Sequence, residues 1–191
     1  KDILKALDPK LVIFEEGIGL DKDINELNFP TYSLGFWSQK DRSGFMAKVW
    51  KCSSESLKPI NCADDIASIF YTSGTTSDPK GILWKYRHLE ENVAAVTSTF
   101  GICATDRLLD YRSFNWASAQ MLSALGAICQ GATLLFARKF SSTQFFDWIR
   151  IYRPTIIAGN PTVFNMLLSV GDDQDLSDLS PVRFITSSSA P

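Results

Sequence analysis

The feature that most constrains the fold of this chain is the alternation of short apolar runs with segments of helical periodicity through its second half. The apolar runs have the length of strands, and the segments between them repeat apolar residues every three or four positions. The predicted strands cover 107–111, 132–137, 155–159 and 182–187. Strands that alternate with helices across short connections form parallel sheets, so we predict an α/β domain with a largely parallel sheet and helices on both faces.

Helical segments are predicted before and between these strands. The predicted helices cover 88–100, 116–129, 141–152 and 160–170. Gly101 follows the first helix as a C-terminal stop. Ser141 and Gln144 have the spacing of a capping box at the start of the third helix. Asn160 and Pro161 fit the N-cap and the first turn of the fourth helix.

The first 65 residues are less regular than the rest of the chain. One strand is predicted at 10–16, and the remainder reads as loop because it is rich in Ser, Asn, Gly and Pro. We therefore divide the chain into an irregular segment at 1–65 and an α/β portion at 66–191. The chain begins without methionine and ends directly after a strand-like run, so we expect a piece of a longer protein.

Composition and charge argue against several classes of function. The net charge is -2, and no basic stripe is present, so we expect no nucleic-acid partner. No apolar stretch reaches the length that crosses a bilayer, and the N-terminus has no apolar signal core, so we expect no membrane partner and a cytoplasmic location. The 4 cysteines are scattered and only 1 histidine is present, so we expect reduced thiols and no metal site.

A segment at 73–80, with the sequence SGTTSDPK, joins two β-prone runs and combines glycine and small hydroxyl residues with one lysine. Backbone N–H groups in such a loop can converge on an anion, and hydroxyl groups add donors. Lys80 supplies a mobile positive charge, and Pro79 stiffens the loop before it. We therefore predict strand, loop and strand over 69–86, and we favour phosphate binding over a plain turn. Pro79 and Gly81 flank the lysine, which excludes a Walker A loop.

The longer stretch YTSGTTSDPKG, at 71–81, resembles the phosphate-binding signature of the adenylate-forming superfamily, which contains acyl-CoA synthetases, peptide-synthetase adenylation domains and luciferases. Other similarities follow in the same order as in the family. SFNWAS at 113–118 lies where the family has an aromatic acyl-site motif, and NPTVFNMLL at 160–168 resembles a family helix. The terminal SSSAP at 187–191 resembles the start of the adenine segment. The resemblance covers most of 60–191 and implies part of the large N-terminal domain.

The resemblance also implies which residues contact each part of the substrates. Those expected at the ATP phosphates are Thr72, Ser73, Gly74, Thr75, Thr76 and Lys80. Those expected near the acyl substrate or adenine are Asn115, Trp116, Ser188, Ser189, Ala190 and Pro191. No catalytic residue is assigned, because the family's Tyr-Gly-x-Thr-Glu segment, ribose-binding Asp and C-terminal domain with its catalytic lysine are not in this sequence.

Three residues depart from the family pattern. Ser77 replaces a glycine of the signature, so the loop must accommodate a Cβ there. Asn115 replaces the usual histidine of the acyl-site motif, and Tyr86 replaces a histidine common after the signature strand. His88 is interpreted as a surface residue at a helix start. The apolar stripe of Trp116, Met121, Leu122 and Leu125 is interpreted as core packing rather than as a cofactor site.

The function implied by the resemblance is that of an ATP-dependent acid–CoA ligase. Such an enzyme joins a carboxylic acid to AMP with the help of Mg²⁺, and then passes the acyl group to CoA; this chain alone is expected to be inactive. Two alternatives remain open, namely a peptide-synthetase adenylation domain and a non-catalytic nucleotide-binding module. An acidic residue for a substrate amine is absent from the motif that contains Asn115 and Trp116, which favours an acid that is not an amino acid.

Overall fold

The computed structural model describes residues 2–15, 29–34, 45–55, 58–72, 80–169 and 179–188. The chain divides into two compact units, Lys1–Pro59 and Ile60–Pro191. The elements of the first unit are α1 (Asp2–Leu7), β1 (Val12–Glu15), β2 (Thr31–Leu34) and α2 (Phe45–Val49). Strands β1 and β2 are parallel, with Val12 opposite Thr31. The strand predicted at 10–16 is confirmed as β1, whereas β2 and both helices were not predicted.

The second unit begins with an antiparallel pair of strands. These are β3 (Ile66–Thr72) and β4 (Lys80–Lys85), and α3 (Tyr86–Phe100) follows β4 directly. Thr72 is paired with Lys80 at the end of the ladder, and the register shifts between Ile66 and Ser68. Both strands predicted on either side of the loop are therefore confirmed. The connecting residues 73–79 lie outside the described part of the chain.

A parallel sheet of four strands forms the centre of the second unit. The strands are β5 (Arg107–Asp110), β6 (Thr133–Phe136), β7 (Ile156–Gly159) and β8 (Phe184–Ser187), in the spatial order β6–β5–β7–β8. A π-helical segment (Ala119–Leu125) continues into α4 (Gly126–Gln130), and α5 (Phe145–Tyr152) and α6 (Pro161–Leu168) follow. All four predicted strands are confirmed. The helix predicted at 116–129 is also present, although half of it has the wider π-helical turn.

Helices cover both faces of this sheet, as predicted. Side chains alternate between faces along a strand, so adjacent residues of β5 enter different cores. Leu108 packs with Leu122 and with α3 on one face, whereas Leu109 packs with Phe145 and Val163 on the other. Leu108 and Leu109 are 1% and 3% exposed, so both cores are closed at the centre of the sheet. The domain is therefore an α/β layered structure.

The interpretation of the apolar stripe at 116–129 is correct except at its first residue. Met121 and Leu122 are buried, and Leu125 packs against the cluster that contains Met121. Trp116 is 55% exposed instead, because it precedes the first helical turn and does not share the orientation of the later residues. His88 is exposed, as predicted, and its Nδ1 accepts a hydrogen bond from the Lys85 amide.

The helix termini confirm two of the three end signals. Gly101 ends α3 with a left-handed backbone, at φ 57°, a conformation that glycine adopts without strain. Asn160 caps α6, and its Oδ1 accepts a hydrogen bond from the Val163 amide at 3.0 Å. The capping box predicted at Ser141 is wrong, because a turn at 142–144 separates that residue from the helix, which begins at Phe145. Among the described residues, no helix has the length and apolar character to span a membrane.

Candidate functional site

The connections of the sheet define a crevice at the carboxyl ends of β5 and β7. The chain leaves β5 towards helices on one face, and it leaves β7 towards α6 on the other face. Strand β6 lies on one side of β5 and β7 on the other, so the strand order reverses between β5 and β7. In open α/β sheets, ligands bind in the crevice that such a reversal opens at the carboxyl ends of the strands.

A cavity of about 200 Å³ occupies this crevice. Its described lining consists of residues that follow β5, β7 and β8, closed by two aromatic side chains and the start of α6. The residues are Tyr111, Arg112, Ser113, Trp116, Phe140, Gly159, Asn160, Val163 and Ser188. Sequence-distant segments therefore converge at the position that the topology predicts for a ligand.

A larger cavity of about 700 Å³ lies beside the crevice, between α3, the π-helical segment and β8. Its walls include the aromatic rings of Phe100 and Phe184, which stack with centroids 5.5 Å apart, and the side chain of Met121. Trp84 of β4 also lines it. Arg112 lines both cavities, so it stands at the boundary between them.

A buried ion pair fixes this boundary. Arg112 Nε lies 3.0 Å from Asp110 Oδ1, and Arg112 Nη2 lies 2.8 Å from Asp110 Oδ2. The Asp110 side chain is 0% exposed and that of Arg112 is 9% exposed. Ser123 Oγ donates to Asp110 Oδ2 at 2.5 Å, and Arg112 Nη1 donates to Ser118 Oγ at 3.2 Å. The bidentate geometry holds the guanidinium in one plane, and the two serines tie the pair to the helical segment that follows.

Tyr111 is a buried residue of the crevice. Its ring is 5% exposed, and Tyr111 Oη has no hydrogen-bond partner among the described residues. Burial, followed by the charge of Asp110, raises the pKa of the Tyr111 hydroxyl, while Arg112 has a smaller opposing effect. The backbone of Gly159 passes so close that a Cβ there would lie 2.8 Å from Tyr111 Oη and 2.5 Å from Phe164 Cζ. A side chain at the end of β7 would therefore force these two rings to move.

The sequence-predicted residues for the acyl group or adenine are only partly brought together. Trp116 lines the smaller cavity, and Ser188 lines both. Asn115 is exposed and belongs to the described lining of neither cavity. The backbone N–H of Asn115 donates a hydrogen bond to Ser113 Oγ at 3.3 Å. This bond stabilises a turn ahead of the helical segment. The last three predicted residues, at 189–191, lie outside the described part of the chain.

The sequence-predicted phosphate site begins and ends at paired strand residues. Thr72 ends β3, and Lys80, which is exposed, begins β4 directly opposite it. Ser73, Gly74, Thr75 and Thr76 lie in the connection outside the described residues. The hairpin is held to α3 by a core in which Phe70 and Trp84 meet edge to face, with ring centroids 6.3 Å apart. Within the described ranges, no group of three or more His, Cys, Asp or Glu is arranged to bind a metal.

Trp116 and Ser188 were predicted at the site, but four other residues that line the crevice were not, namely Tyr111, Arg112, Gly159 and Asn160. Asp110 and Tyr111 were treated as the end of an extended run and Gly159 as the end of a strand, and Arg112 was given no role. A signal was present, since polar residues that directly follow an apolar parallel strand lie at the ligand-binding edge of the sheet. The same rule applied to β7 would have drawn attention to Gly159 and Asn160.

The fold is similar to that of solved proteins, one of them with ATP bound. ATP-bound MatB from Rhodopseudomonas palustris superposes with a TM-score of 0.82 at 23% identity, over all of this chain and 37% of that one. At this identity the similarity shows the fold alone, and it agrees with the predicted fold class. The model of the family described as AMP-binding enzyme matches residues 1–191. The chain therefore belongs to the AMP-binding enzyme family, and the resemblance to the adenylate-forming superfamily is confirmed.

Curated relatives of two kinds match the chain. Tyrocidine synthase 3 of Brevibacillus parabrevis is 32% identical over 130 residues, which cover 66% of this chain and 2% of that protein. Oxalate–CoA ligase of Arabidopsis thaliana is 31% identical over 134 residues, which cover 69% of this chain and 26% of that protein. The chain thus spans about a quarter or less of these two relatives.

Proposed function

We propose that the protein carrying this chain is an ATP-dependent acid–CoA ligase, which activates a carboxylic acid as an acyl-adenylate and transfers the acyl group to CoA. Membership of the AMP-binding enzyme family supports the adenylation step. The similarity to oxalate–CoA ligase supports CoA as the acceptor. In this proposal the chain forms the α/β nucleotide-binding portion from residue 66 onwards, the enzyme is cytoplasmic, and its ligands are the acid, ATP and CoA.

The observation that carries the proposal is the register of the β3–β4 hairpin. Pairing of Thr72 with Lys80 leaves the small hydroxyl and glycine residues of the signature in one connection, with the lysine at its exit. We propose that Thr72, Ser73, Gly74, Thr75 and Thr76 contact phosphate oxygens of ATP. Lys80 is proposed to neutralise the outer phosphate oxygens, on which charge grows as pyrophosphate departs.

Mg²⁺ is proposed to enter with ATP rather than at a resident protein site. The divalent ion supplies charge neutralisation at the phosphates. The residues around the hairpin fit this division of labour, because Lys80 and the hydroxyl-rich connection present mainly donors for an anion, and Asp78 is the one carboxylate of that connection. In this proposal the loop binds and orients the phosphates, and Mg²⁺ arrives already bound to ATP.

The acyl group is proposed to occupy the larger cavity and the crevice beside it. Trp116 and Ser188 belong to their lining, in agreement with the acyl or adenine role that the family resemblance implies for them. Asn115, Ser189, Ala190 and Pro191 stay proposed for the same region on the resemblance alone. The carboxylate loses its negative charge when its oxygen bonds to the phosphorus of AMP, so the cavity has to bind mainly the body of the acid.

A second candidate is a peptide-synthetase adenylation domain, which loads an amino acid onto a carrier thiol. The similarity to tyrocidine synthase 3 favours it. Against it, no acidic side chain that would pair with a substrate amine occurs in the described lining of either cavity. A nucleotide-binding module without catalysis is the remaining alternative, and it predicts ATP binding with no pyrophosphate exchange.

The test is pyrophosphate exchange with the purified full-length protein, ATP and a panel of acids, followed by mass detection of the acyl-CoA thioester. The proposal expects exchange that depends on the acid, and a thioester when CoA is added. Exchange without a CoA thioester, but with transfer to a carrier-protein thiol, would favour the second candidate. Binding of ATP with no exchange for any acid would favour the non-catalytic module. Residues 1–191 alone are expected to give no exchange.

A further inference from the structure

We infer that the acid activated here is a monocarboxylic acid with an uncharged, apolar body, and that the Asp110–Arg112 pair enforces this choice. The inference rests on the proposed function, because it concerns the acid whose carboxylate is adenylated. It adds the chemical class of that acid, which neither the family nor the relatives determine. Four observations on the cavity walls carry it.

The first observation concerns charge. Among the described residues that line the two cavities, Arg112 is the only one with an ionisable acidic or basic side chain other than the phenol of Tyr111. The rest are apolar, aromatic, hydroxyl or amide residues. Among these residues, the Arg112 guanidinium is therefore the one possible counterion for a second negative group on a bound acid.

The second observation is that this counterion is already neutralised. Two nitrogens of Arg112 donate to the two oxygens of Asp110, and the third donates to Ser118. Asp110 is held in turn by Ser123 and has no exposed surface. A second carboxylate on the substrate could reach only the remaining N–H groups of a guanidinium whose charge Asp110 already balances, so its burial would be poorly compensated and dicarboxylic acids are disfavoured.

The third observation excludes substrates with an ammonium group. No aspartate or glutamate occurs in the described lining of either cavity, and Asp110, which pairs with Arg112, is fully buried. An amine bound there would lose its water without gaining an anion. Burial of an unpaired charge is costly, so amino acids bind less well than acids of the same size without the amine.

The fourth observation gives the shape of the preferred acid. The larger cavity is bordered by the stacked rings of Phe100 and Phe184, by Val96 and by the flexible side chains of Met121 and Leu122. Aromatic and aliphatic walls favour an aromatic ring or an aliphatic chain. Because a methionine side chain is flexible, Met121 lets the wall of the larger cavity adapt to acids of different shape.

The experiment compares four acids by pyrophosphate exchange in the full-length protein. Benzoate and hexanoate represent uncharged bodies, malonate carries a second carboxylate, and phenylalanine carries an ammonium group. The expected result is exchange with benzoate or hexanoate at least about tenfold faster than with malonate or phenylalanine. Faster exchange with malonate or phenylalanine would overturn the inference and leave the proposed ligase or adenylation function standing. No exchange with any acid would contradict the proposed function itself.

A substitution tests the role assigned to the ion pair. Asp110→Asn removes the counter-charge of Arg112 and leaves a cation at the cavity boundary, so the exchange rate with malonate relative to benzoate is expected to rise about tenfold. Asp147→Asn is the matched control, because Asp147 pairs with Arg150 on the exposed side of α5. An unchanged ratio in a folded Asp110→Asn protein would contradict the role of the pair. If that variant does not fold, the four-acid comparison in the parent decides the inference.

Discussion

Asp106 and Arg183, which lie 77 positions apart in the sequence, join the amino end of β5 to the residue that precedes β8. Arg183 Nη1 lies 2.8 Å from Oδ1 and 2.7 Å from Oδ2 of Asp106, which is 2% exposed. The hydroxyl of Thr155, at the start of β7, and the amide of Cys103 donate to the same carboxylate. One carboxylate therefore fastens three adjacent strands at the edge opposite the crevice.

Substitution of this carboxylate is expected to change the pH dependence of stability. Burial by itself raises the pKa of Asp106, but hydrogen bonds from Thr155, Cys103 and Arg183 lower it overall. Because the folded-state pKa is depressed, the stabilisation is present above about pH 4 and is lost as the pH falls through the folded value. We expect Asp106→Asn to lower the free energy of unfolding at pH 7 and to flatten its decline at acid pH.

Urea unfolding between pH 2 and 7 measures both effects, with the exposed Asp147→Asn as the control. If the free energy of unfolding fell equally steeply with decreasing pH in the Asp106 variant and the parent, another group would be responsible for the loss of stability at acid pH.

The Asp110–Arg112 pair is expected to matter for stability as well as for specificity. Arg112→Met keeps most of the aliphatic stem but leaves Asp110 buried without its counterion, which should cost about 3 kcal/mol or more of unfolding free energy. Arg150→Met removes a half-exposed surface pair and should cost less than about 1 kcal/mol. Thermal and urea unfolding of both variants give the comparison. Similar losses for the two would indicate that the Asp110 site is reached by water.

Removal of the Tyr111 hydroxyl is expected to stabilise the protein. The group is buried without a partner among the described residues, so Tyr111→Phe removes an uncompensated loss of hydration and should gain about 1 kcal/mol. Tyr152→Phe, at an exposed position, should have little effect. Urea unfolding at pH 7 checks the difference, and destabilisation by Tyr111→Phe would mean that the hydroxyl has a partner in the folded protein.

The same substitution has an expected signature at alkaline pH. Burial and the charge of Asp110 raise the pKa of Tyr111, so above about pH 10 the unfolded phenol ionises while the folded one stays protonated. The parent therefore loses stability as the pH rises through this range. Tyr111→Phe should lose less, as followed by thermal melting between pH 8 and 11, and parallel curves for the variant and the parent would refute this assignment.

A side chain at Gly159 is expected to destabilise the protein. A Cβ would lie 2.5 Å from Phe164 Cζ and 2.8 Å from Tyr111 Oη, and relief of such contacts requires shifts in two rings. Gly159→Ala should lower the unfolding free energy by about 1 to 3 kcal/mol. In the Tyr111→Phe background one of the two contacts is absent, so the cost of Gly159→Ala should be smaller there. An equal cost in both backgrounds would place the strain on Phe164 alone.

How far the sequence predicts this fold depends on the length and burial of each element. The four strands of the sheet were predicted because each is an apolar run between helical segments, and β7, for example, is buried along its whole length. In the first unit, α1, β2 and α2 are only 4 to 6 residues long. Such short elements do not display a hydrophobic period, so their formation depends on tertiary contacts that the pattern does not reveal.

Those residues of the candidate site that are contiguous in the sequence could be predicted. Residues that only the fold brings together could not. The hydroxyl-rich connection before Lys80 is a contiguous signal, and both strands beside it were predicted. The Asp110–Arg112 pair forms hydrogen bonds with Ser118 and Ser123. These serines lie 6 to 13 positions from their partners and meet them only through the fold of the helical segment. Trp116 was assigned to the core by its spacing, but a turn ahead of the first helical residues places it at the surface.

The proposal that the connection ending at Lys80 binds the phosphates of ATP is tested by Lys80→Ala, with Lys85→Ala as the matched control. Lys80 begins β4 at the exit of the connection, whereas Lys85 ends the same strand with its Nζ 3.0 Å from Asp64 Oδ1. Loss of one charge-assisted phosphate contact should cost on the order of 1.5 to 3 kcal/mol, which is roughly a ten- to hundredfold loss of rate.

The measurement is acid-dependent pyrophosphate exchange by the full-length protein and both variants, with thermal melting as the check on folding. We expect roughly ten- to hundredfold slower exchange for Lys80→Ala and a rate close to that of the parent for Lys85→Ala, at matched melting temperatures. Exchange by Lys80→Ala as fast as by the parent would contradict this expectation, and would mean that the connection between β3 and β4 is a structural turn.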